Sequence, residues 1–452
     1  MAQVFNKKPA ILIVTIALGI LLNPLNSSMI AVAITRFQSD FHLSFADVSW
    51  LISTYYLASA VAQPVMGKLS DMFGPKRLFL IGLILIAVAS ILAPFSPGFI
   101  WLVSFRIIQA IGSSSLFPSG MSMVRKYITE RQARWLALLA VFSSTSAAFG
   151  PSIGGMLIHY WDWQALFLVN FPFIIASFTM GLLILPKDGV IKMEWKRIDF
   201  IGIFLFIVSV VFMLVFLLSL GGHIQWIPLI IGLIGIVVFV LYEKRRLEPF
   251  IDPVMLRQNK NASFVYLHFI AINTIFYSIF FGMPSFLQQV RGYSDQQTGF
   301  IMLAIAGFGV FITPFTGRWI DRSGSKPAVL TGAITVLAGT ILLLTVYGTT
   351  PLWWVIVVLS VLGISNGFNN ISMQTALYEF VDKKETGAAS GLFMTSRYLG
   401  TILSSTLLGI LFDKKMSSGH FHEMAIVCLV VGAIILALSI RMPGRGQRLI
   451  KT

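Results

Sequence analysis

The sequence predicts an all-α membrane protein with fourteen transmembrane helices, arranged as two six-helix bundles plus two linker helices, with both termini cytoplasmic. Hydrophobic residues make up 56% of the 452 residues and charged residues only 11%, whereas a soluble domain carries about a quarter charged residues. The apolar residues form stretches close to the roughly 20 residues that cross a bilayer. The basic residues lie mainly in alternate polar breaks, as the positive-inside rule requires.

Each predicted helix is an apolar stretch bounded by a short polar break. A transmembrane β-barrel would instead show segments of about ten residues with alternating hydrophobicity. The first stretch follows Lys7 and Lys8 and has no small-residue cleavage site after it, so we interpret it as a retained span. The stretches lie at roughly 10–34, 46–66, 78–94, 99–120, 134–158, 164–185, 199–220, 226–243, 263–288, 297–316, 328–347, 353–378, 387–411 and 423–441.

The basic residues set the predicted orientation. With the N-terminus inside, the cytoplasmic segments hold 27 of the 33 Lys and Arg residues, the outer loops hold four and the spans hold two. Orientation and contact with anionic lipid therefore explain the net charge of +15, and we expect no nucleic acid partner. We predict a multi-pass protein of the cell membrane.

An internal repeat indicates two similar halves. The sequence GKLSDMFGPKR at 67–77 recurs loosely 250 residues later as GRWIDRSGSKP at 317–327. A six-helix group takes about 180 residues if each helix with its loop takes about 30, so two more helices must lie between the halves. We predict an N-terminal bundle at 1–186, two linker helices with an inner loop at 187–262, and a C-terminal bundle with a basic tail at 263–452. Such repeats are typical of transporters with a central site.

Three motifs resemble those of a known family. GKLSDMFGPKR at 67–77 is similar to the loop GxLaDrxGrkxx, RIIQAIG at 106–112 to the fourth-helix pattern RxxQGxG, and SAAFGPSIGG at 146–155 to the exporter pattern gxxxGPxxGG. With these motifs the chain resembles the major facilitator superfamily, and within it the fourteen-helix drug:proton antiporters, over nearly its whole length. The resemblance implies the fold of that superfamily. The exporter pattern is the most specific of the three, because it marks antiporters rather than uptake symporters.

The first helix departs from the resemblance. That family reads LDxTvxNvAlP, but this chain has Asn26 in place of the aspartate and Ala31 in place of the asparagine. An amide cannot carry a titrating proton. All 18 Asp and Glu residues fall in loops or at helix ends, so the candidates for proton coupling are rim carboxylates, Asp40, Asp47 and Glu379.

The predicted gating residues come from the repeat and the exporter motif. A carboxylate in the short inner loop either pairs with a basic residue or a helix N-terminus, which makes a gate, or stays a solvated charge. In the GPxxGG run the proline removes a backbone donor and the glycines permit close packing, so that helix either seals against a neighbour or only kinks. The gating set is Gly67, Asp71, Gly74, Arg77, Asp321, Gly150, Pro151, Gly154 and Gly155.

Polar residues at helical spacing predict a polar-lined cavity with soft apolar walls. A charge inside a span must face water, a partner or backbone carbonyls. Intramembrane amides either line a cavity or bond between helices. The 38 Phe and 18 Met residues suit a permissive site for amphipathic molecules. The cavity set is Asn23, Asn26, Tyr56, Gln63, Arg106, Gln109, Asn273, Tyr277, Asn366, Asn370 and Arg397.

The function predicted from these features is secondary active multidrug efflux, with proton-coupled export of lipophilic or amphipathic drugs by alternating access. The drug assignment is implied by the resemblance, and the alternative is an exporter or flippase for a single lipid-like or metabolite cargo. We expect no enzymatic activity, cofactor or metal, because no nucleophile–base pair, metal-ligand spacing or GxxxxGK[ST] loop is present. The expected partners are small-molecule drugs, protons and anionic lipid, and the expected state is a monomer. Arginines without a buried carboxylate favour neutral, zwitterionic or anionic cargo over dications.

Overall fold

The structure is a computed structural model that describes residues 9–30, 33–42, 45–189, 198–220, 224–246, 249–412 and 417–442. Every regular element in these ranges is a helix. Two short 3₁₀ turns lie at Ala93–Phe95 and Lys383–Glu385. The α-helices are α1 Pro9–Ile20, α2 Leu22–Ile30, α3 Ile34–Phe41, α4 Phe45–Phe73, α5 Pro75–Leu92, α6 Phe99–Tyr127, α7 Gln132–Trp161, α8 Ala165–Leu168, α9 Asn170–Ile184, α10 Phe200–Ser219, α11 Trp226–Glu243, α12 Pro253–Gln258, α13 Lys260–Gln289, α14 Asp295–Ser323, α15 Ser325–Leu343, α16 Leu352–Phe380, α17 Thr386–Leu411 and α18 Ser418–Ile440.

Eleven helical segments of the described residues are long and apolar enough to cross a membrane. Three further helices, α4, α7 and α17, have 29, 30 and 26 residues and lie where the sequence predicts spans. They are less apolar because they carry small and polar residues, such as the run SSTSAAFGPSIGG in α7, which favour close helix packing. The prediction of an all-helical, multi-span protein is confirmed. The count of fourteen spans and the orientation of the termini stay predictions.

The first span is interrupted at Leu21. Pro24 cannot donate a backbone hydrogen bond, and its ring crowds the carbonyl four residues earlier, so the helix loosens one turn before it. The amides of Leu21 and Leu25 still donate to the carbonyls of Ala17 and Leu21, at 3.0 and 3.1 Å. Helices α1 and α2 therefore form one apolar segment, Pro9–Ile30.

Contacts between residues divide the chain into two compact units. Unit 1 comprises residues 1–198 and 381–395, and unit 2 comprises residues 199–380 and 396–452. Helix α17 thus contributes residues 386–395 to unit 1 and its remaining residues to unit 2. The division into three parts at 186 and 262 stays a prediction.

In unit 1, some helices approach each other so closely that their backbones touch, and the unit also contains an apolar core. A Cβ atom placed on Gly82 of α5 would lie 2.6 Å from the carbonyl oxygen of Gly112 in α6, so only glycine permits this approach. One apolar cluster joins the first span, α3 and the α8 region. Its members include Leu25, Met29, Phe37, Trp163 and Phe167.

Unit 2 uses the same kind of contact between α14 and α16. A Cβ atom on Gly363 would lie 2.3 Å from the carbonyl oxygen of Ile305, and one on Gly367 would lie 2.6 Å from that of Gly309. Helices α10 and α11 also belong to unit 2 and pack against each other, with the Gly235 backbone close to Ser209. Close glycine contacts of this kind allow van der Waals packing between apolar helices.

Candidate functional site

Asp71, in the last turn of α4, bonds to the first turn of α17 within unit 1. Its Oδ1 accepts a hydrogen bond from the Gly387 amide at 2.9 Å, and its Oδ2 accepts one from the Ala388 amide at 2.8 Å. The Ser122 hydroxyl donates to the same Oδ1 at 3.2 Å. The first amides of a helix have no partner inside the helix and carry partial positive charge. Asp71 is therefore a capping carboxylate for α17.

Glycines on both helices make this contact possible. A Cβ atom on Gly67 would lie 2.2 Å from the Gly387 carbonyl oxygen, and one on Gly391 would lie 2.4 Å from the Gln63 carbonyl oxygen. The sequence prediction included Gly67 but missed Gly387 and Gly391. Their spacing of four, in GAASG, is the small-residue pattern of close helix pairs and could have identified them.

Arg125 of α6 holds the turn that leads into α17, and sequence reasoning missed it. Its guanidinium donates to the Asp382 carbonyl oxygen and to the Thr386 hydroxyl oxygen, each at 2.9 Å, and also to the Val381 carbonyl oxygen. The residue is 7% exposed. A planar guanidinium can satisfy several oxygens at once, so Arg125 and Asp71 together fix the start of α17.

The rest of the loop at 67–77 is fixed by two helix caps. Asp188 accepts hydrogen bonds from the Lys76 and Arg77 amides, at 3.2 and 2.9 Å, at the N-terminus of α5. The Lys76 ammonium donates to the Leu182 and Leu185 carbonyl oxygens, both at 2.8 Å, at the C-terminus of α9. Gly74 has φ +102° and lies against Asp188, so its backbone and its lack of a side chain are both needed. The Arg77 side chain is exposed.

The second copy of the loop lies in unit 2. Asp321 is in the last turn of α14, as Asp71 is in the last turn of α4. Gly324, with φ +82°, separates α14 from α15 as Gly74 separates α4 from α5. A gating role for Asp321 stays a prediction.

The exporter motif places α7 against α2. A Cβ atom on Gly154 would lie 3.2 Å from the Met29 Cα, and one on Gly150 would overlap the Ser28 hydroxyl. Gly155 is half-buried. Pro151 lies within α7, and its side chain is outside the described residues. The two glycines thus allow the backbones of α7 and α2 to approach, and a gating role for the motif stays a prediction.

A buried polar cluster lies between the first span and α4, α5, α6 and α9. Arg106 is 1% exposed, and its guanidinium donates to Gln109 Oε1 at 2.6 Å and lies 4.1 Å from the Tyr55 ring centroid. Gln109 Nε2 donates to Asn26 Oδ1 and to the Ser90 hydroxyl oxygen, both at 3.2 Å. The structure thus brings together three predicted cavity residues, Asn26, Arg106 and Gln109.

Further members of this polar cluster extend it on two sides. Asn170 Nδ2 donates to Asn26 Oδ1 at 2.8 Å, a contact that sequence reasoning missed. Asn23 Nδ2 donates to the Ser113 hydroxyl at 2.9 Å. Tyr56 is half-buried, with its ring 6.2 Å from that of Tyr55. The predicted polar residues of the first span, Asn23 and Asn26, therefore bond to polar side chains of α6 and α9.

Gln63 lies apart from this cluster. It is 2% exposed, and its backbone carbonyl packs against Gly391. It belongs to the α4–α17 contact by position, so the structure groups it with the predicted gate rather than with the Arg106 cluster.

The predicted cavity residues of unit 2 have mixed surroundings. Asn366 lines a small crevice together with Ser365 and apolar side chains of α13, α14, α15 and α16. Asn273 is 4% exposed and donates to the Phe269 carbonyl of its own helix at 2.7 Å. Tyr277 contacts the Phe276, Phe280 and Phe281 rings. Asn370 and Arg397 are half-buried. A cavity role for these residues stays a prediction.

The candidate proton carriers lie in local networks. Asp40 Oδ2 accepts from Trp163 Nε1 at 2.6 Å, in a surface group that includes the ion pair of Arg36 with Asp162. Hydrogen bonds from Arg36 hold the pKa of Asp162 below its ordinary value. Glu379 accepts from the Ser325 hydroxyl at 2.9 Å. The Asp47 side chain lies outside the described residues. Proton coupling by any of these stays a prediction.

Comparison with known proteins supplies the family. The model of the Major Facilitator Superfamily matches residues 16–405. The chain belongs to this superfamily. An uncharacterized MFS-type transporter of Bacillus subtilis, YwoD, is 45% identical over 96% of this chain and 97% of its own. The tetracenomycin C resistance and export protein of Streptomyces glaucescens is 28% identical over 89% of this chain and 76% of its own.

A solved structure supports the fold of this superfamily member. The crystal structure of the human organic anion transporter MFSD10 (TETRAN) matches with a TM-score of 0.66 and 14% identity, over 96% of this chain and 100% of that one. At this identity the likeness concerns the fold alone. The superfamily consists of membrane transporters, a class that is generally not enzymatic. Among the described residues no group of three or more His, Cys, Asp or Glu side chains could hold a metal ion.

Proposed function

We propose that this superfamily member is a secondary active exporter of the cell membrane, of the fourteen-helix drug:proton antiporter type. It exports lipophilic or amphipathic drugs against inward proton flow by alternating access. The observation that carries the proposal is the Asp71 cap on α17. A carboxylate that holds two backbone amides can release them reversibly, and α17 shares its residues between both units. Release of this cap is the gating step.

The direction and the cargo rest on two further observations. The close α2–α7 contact at Gly150 and Gly154 fits the sealing role implied by the exporter motif. A relative at 28% identity is named for resistance and export of a drug. That name gives one compound, so it also favours the second candidate, an exporter for a single lipid-like or metabolite cargo.

The test is a drug-susceptibility panel in cells that lack their own exporters, with matched measurements of proton movement in proteoliposomes. Protection against several unrelated lipophilic drugs, with drug-dependent proton flux, is the expected result. Protection against one compound favours the single-cargo candidate. No protection and no flux by well-expressed protein contradicts both.

Asp71→Asn tests the gate. An amide keeps the shape but weakens two charge-assisted hydrogen bonds, so the variant is expected to insert normally and lose most export. Asp382→Asn is the matched control: it removes a neighbouring carboxylate, while an asparagine side chain can still accept the Lys384 amide bond. Wild-type export by Asp71→Asn would refute the gate.

A further inference from the structure

We propose that Arg106 and Asn26 form a recognition site for a monovalent anionic group, either a carboxylate on the cargo or a small inorganic anion. This inference rests on the proposed transport function and names a substrate class for it. The site lies in unit 1, where α6 meets the first span.

The first argument is charge. The Arg106 guanidinium is 1% exposed. Its partners are neutral, the Gln109 side-chain oxygen at 2.6 Å and the Tyr55 ring at 4.1 Å. Among the described residues no carboxylate forms an ion pair with it. A buried cation is costly unless an opposite charge and further hydrogen bonds compensate it. An anion would supply both.

The second argument is that two buried donors of the cluster lack a hydrogen-bond partner, as does one buried acceptor, Asn170 Oδ1. Arg106 Nε and Asn26 Nδ2 are buried and have no hydrogen-bond partner. Each of these nitrogens can only donate. A free donor on the buried guanidinium and a second on an amide that is joined to it through Gln109 match the acceptor-only chemistry of a carboxylate or a halide.

The orientation of the Asn26 amide follows from Arg106. A guanidinium has no acceptor, so Gln109 must turn its oxygen toward Arg106 and its nitrogen toward Asn26. Asn26 must then present Oδ1 to Gln109, and Asn170 Nδ2 donates to the same oxygen at 2.8 Å. The Asn26 nitrogen is thereby left as a donor. The hydrogen bonds themselves fix which end of the Asn26 amide is the nitrogen, so the free donor does not depend on how that amide was oriented.

Access has a consequence for the transport cycle. Because Arg106 is almost fully buried here, an anion reaches it only in a state in which the surrounding helices have separated. Binding then favours that state over this one. The site therefore couples anion binding to the conformational change of unit 1.

The first test measures thermal unfolding of the purified full-length protein in detergent, in chloride-free sodium sulfate buffer, with benzoate, benzamide or chloride added. Benzoate and benzamide have the same shape and differ in charge. We expect a saturable rise in Tm with benzoate or chloride and none with benzamide. A rise with benzoate indicates a cargo carboxylate, and a rise with chloride alone indicates an inorganic anion. Equal effects of benzoate and benzamide, or none, overturn the proposal.

The second test supplies the negative charge internally. Asn26→Asp places a carboxylate beside Gln109, and Gln109→Glu places one against Arg106 in case the first variant does not fold. Each is expected to weaken anion binding by about 10- to 100-fold, the loss of one or two charged hydrogen bonds. Asn261→Asp, the same change at an exposed residue of α13, is expected to keep wild-type affinity. Unchanged affinity in a folded Asn26→Asp or Gln109→Glu protein overturns the proposal.

Export assays separate this inference from the proposed function. If the wild type exports neutral drugs but binds neither benzoate nor chloride, only the anion site is refuted. If anions bind as expected but no drug is exported, the efflux function is refuted and the anion site stands.

Discussion

The Arg125 contact with the start of α17 gives a quantitative prediction. Arg125→Gln removes a guanidinium that donates to three oxygens, those of the Val381 and Asp382 carbonyls and of the Thr386 hydroxyl. A hydrogen bond to a charged group contributes about 1.5–3 kcal/mol, and bonds from one side chain are not additive. We therefore expect the substitution to lower the free energy of opening the start of α17 by about 3 kcal/mol.

Hydrogen–deuterium exchange of residues 381–391 measures this directly. The Gly387 and Ala388 amides exchange only when their bonds to Asp71 open. A loss of about 3 kcal/mol corresponds to a fall of about 100-fold in protection. Lys126→Gln is the control, because it removes the neighbouring exposed charge, whose ammonium lies over the Tyr127 ring next to it in the sequence. Unchanged protection in Arg125→Gln would show that Asp71 alone holds the start of α17 and that the Arg125 hydrogen bonds do not contribute.

Two further predictions concern other contacts of unit 1. Gly154→Leu forces a side chain into the backbone of Met29, 3.2 Å from the Cβ position, so it is expected to cost about 1–3 kcal/mol and to reduce drug export. Gly307→Leu, at a helical glycine with open space around it, is the control, and equal export by both variants would show that α7 need not approach α2. Because Arg36 lowers the pKa of Asp162, the pair stabilises above the ordinary carboxylate pKa of about 3.9 and this contribution is lost as pH falls through the lowered value. Asp162→Asn should thus lower Tm slightly at pH 7, and its difference from the wild type should shrink only as pH falls through the lowered pKa of Asp162; a difference that does not change as the pH is lowered until the carboxyl is protonated would contradict this account.

Sequence reasoning identified one side of the inner-loop contact and missed the other. Gly67, Asp71 and Gly74 form a local motif that repeats, so a single chain shows them. The charged residues that complete the contact come from distant segments: Asp188 caps the helix that follows Gly74, and Arg125 bonds to the turn before α17, and neither lies in a recognisable local motif. These residues meet only through tertiary packing, and a tertiary contact leaves no fixed residue spacing in the sequence.

The Arg106 cluster shows a different limit. The sequence predicted Asn26, Arg106 and Gln109 from the resemblance and from polar spacing, but it assigned them to an open cavity. In the structure they bond to one another and are buried. Periodicity tells which side of a helix is polar, and it does not tell whether that side meets water or another polar helix face.

The two caps at the inner loop have an evolutionary consequence. Lys76 and Asp188 carry opposite charges and lie side by side, yet each bonds to backbone groups of the other's helix end and no direct ion pair joins them among the described contacts. Exchanging the two residues would place a carboxylate against carbonyl oxygens and an ammonium against amide protons. A double charge swap is therefore expected to fail, and in an alignment of relatives these two positions should not covary as a reversible charge pair.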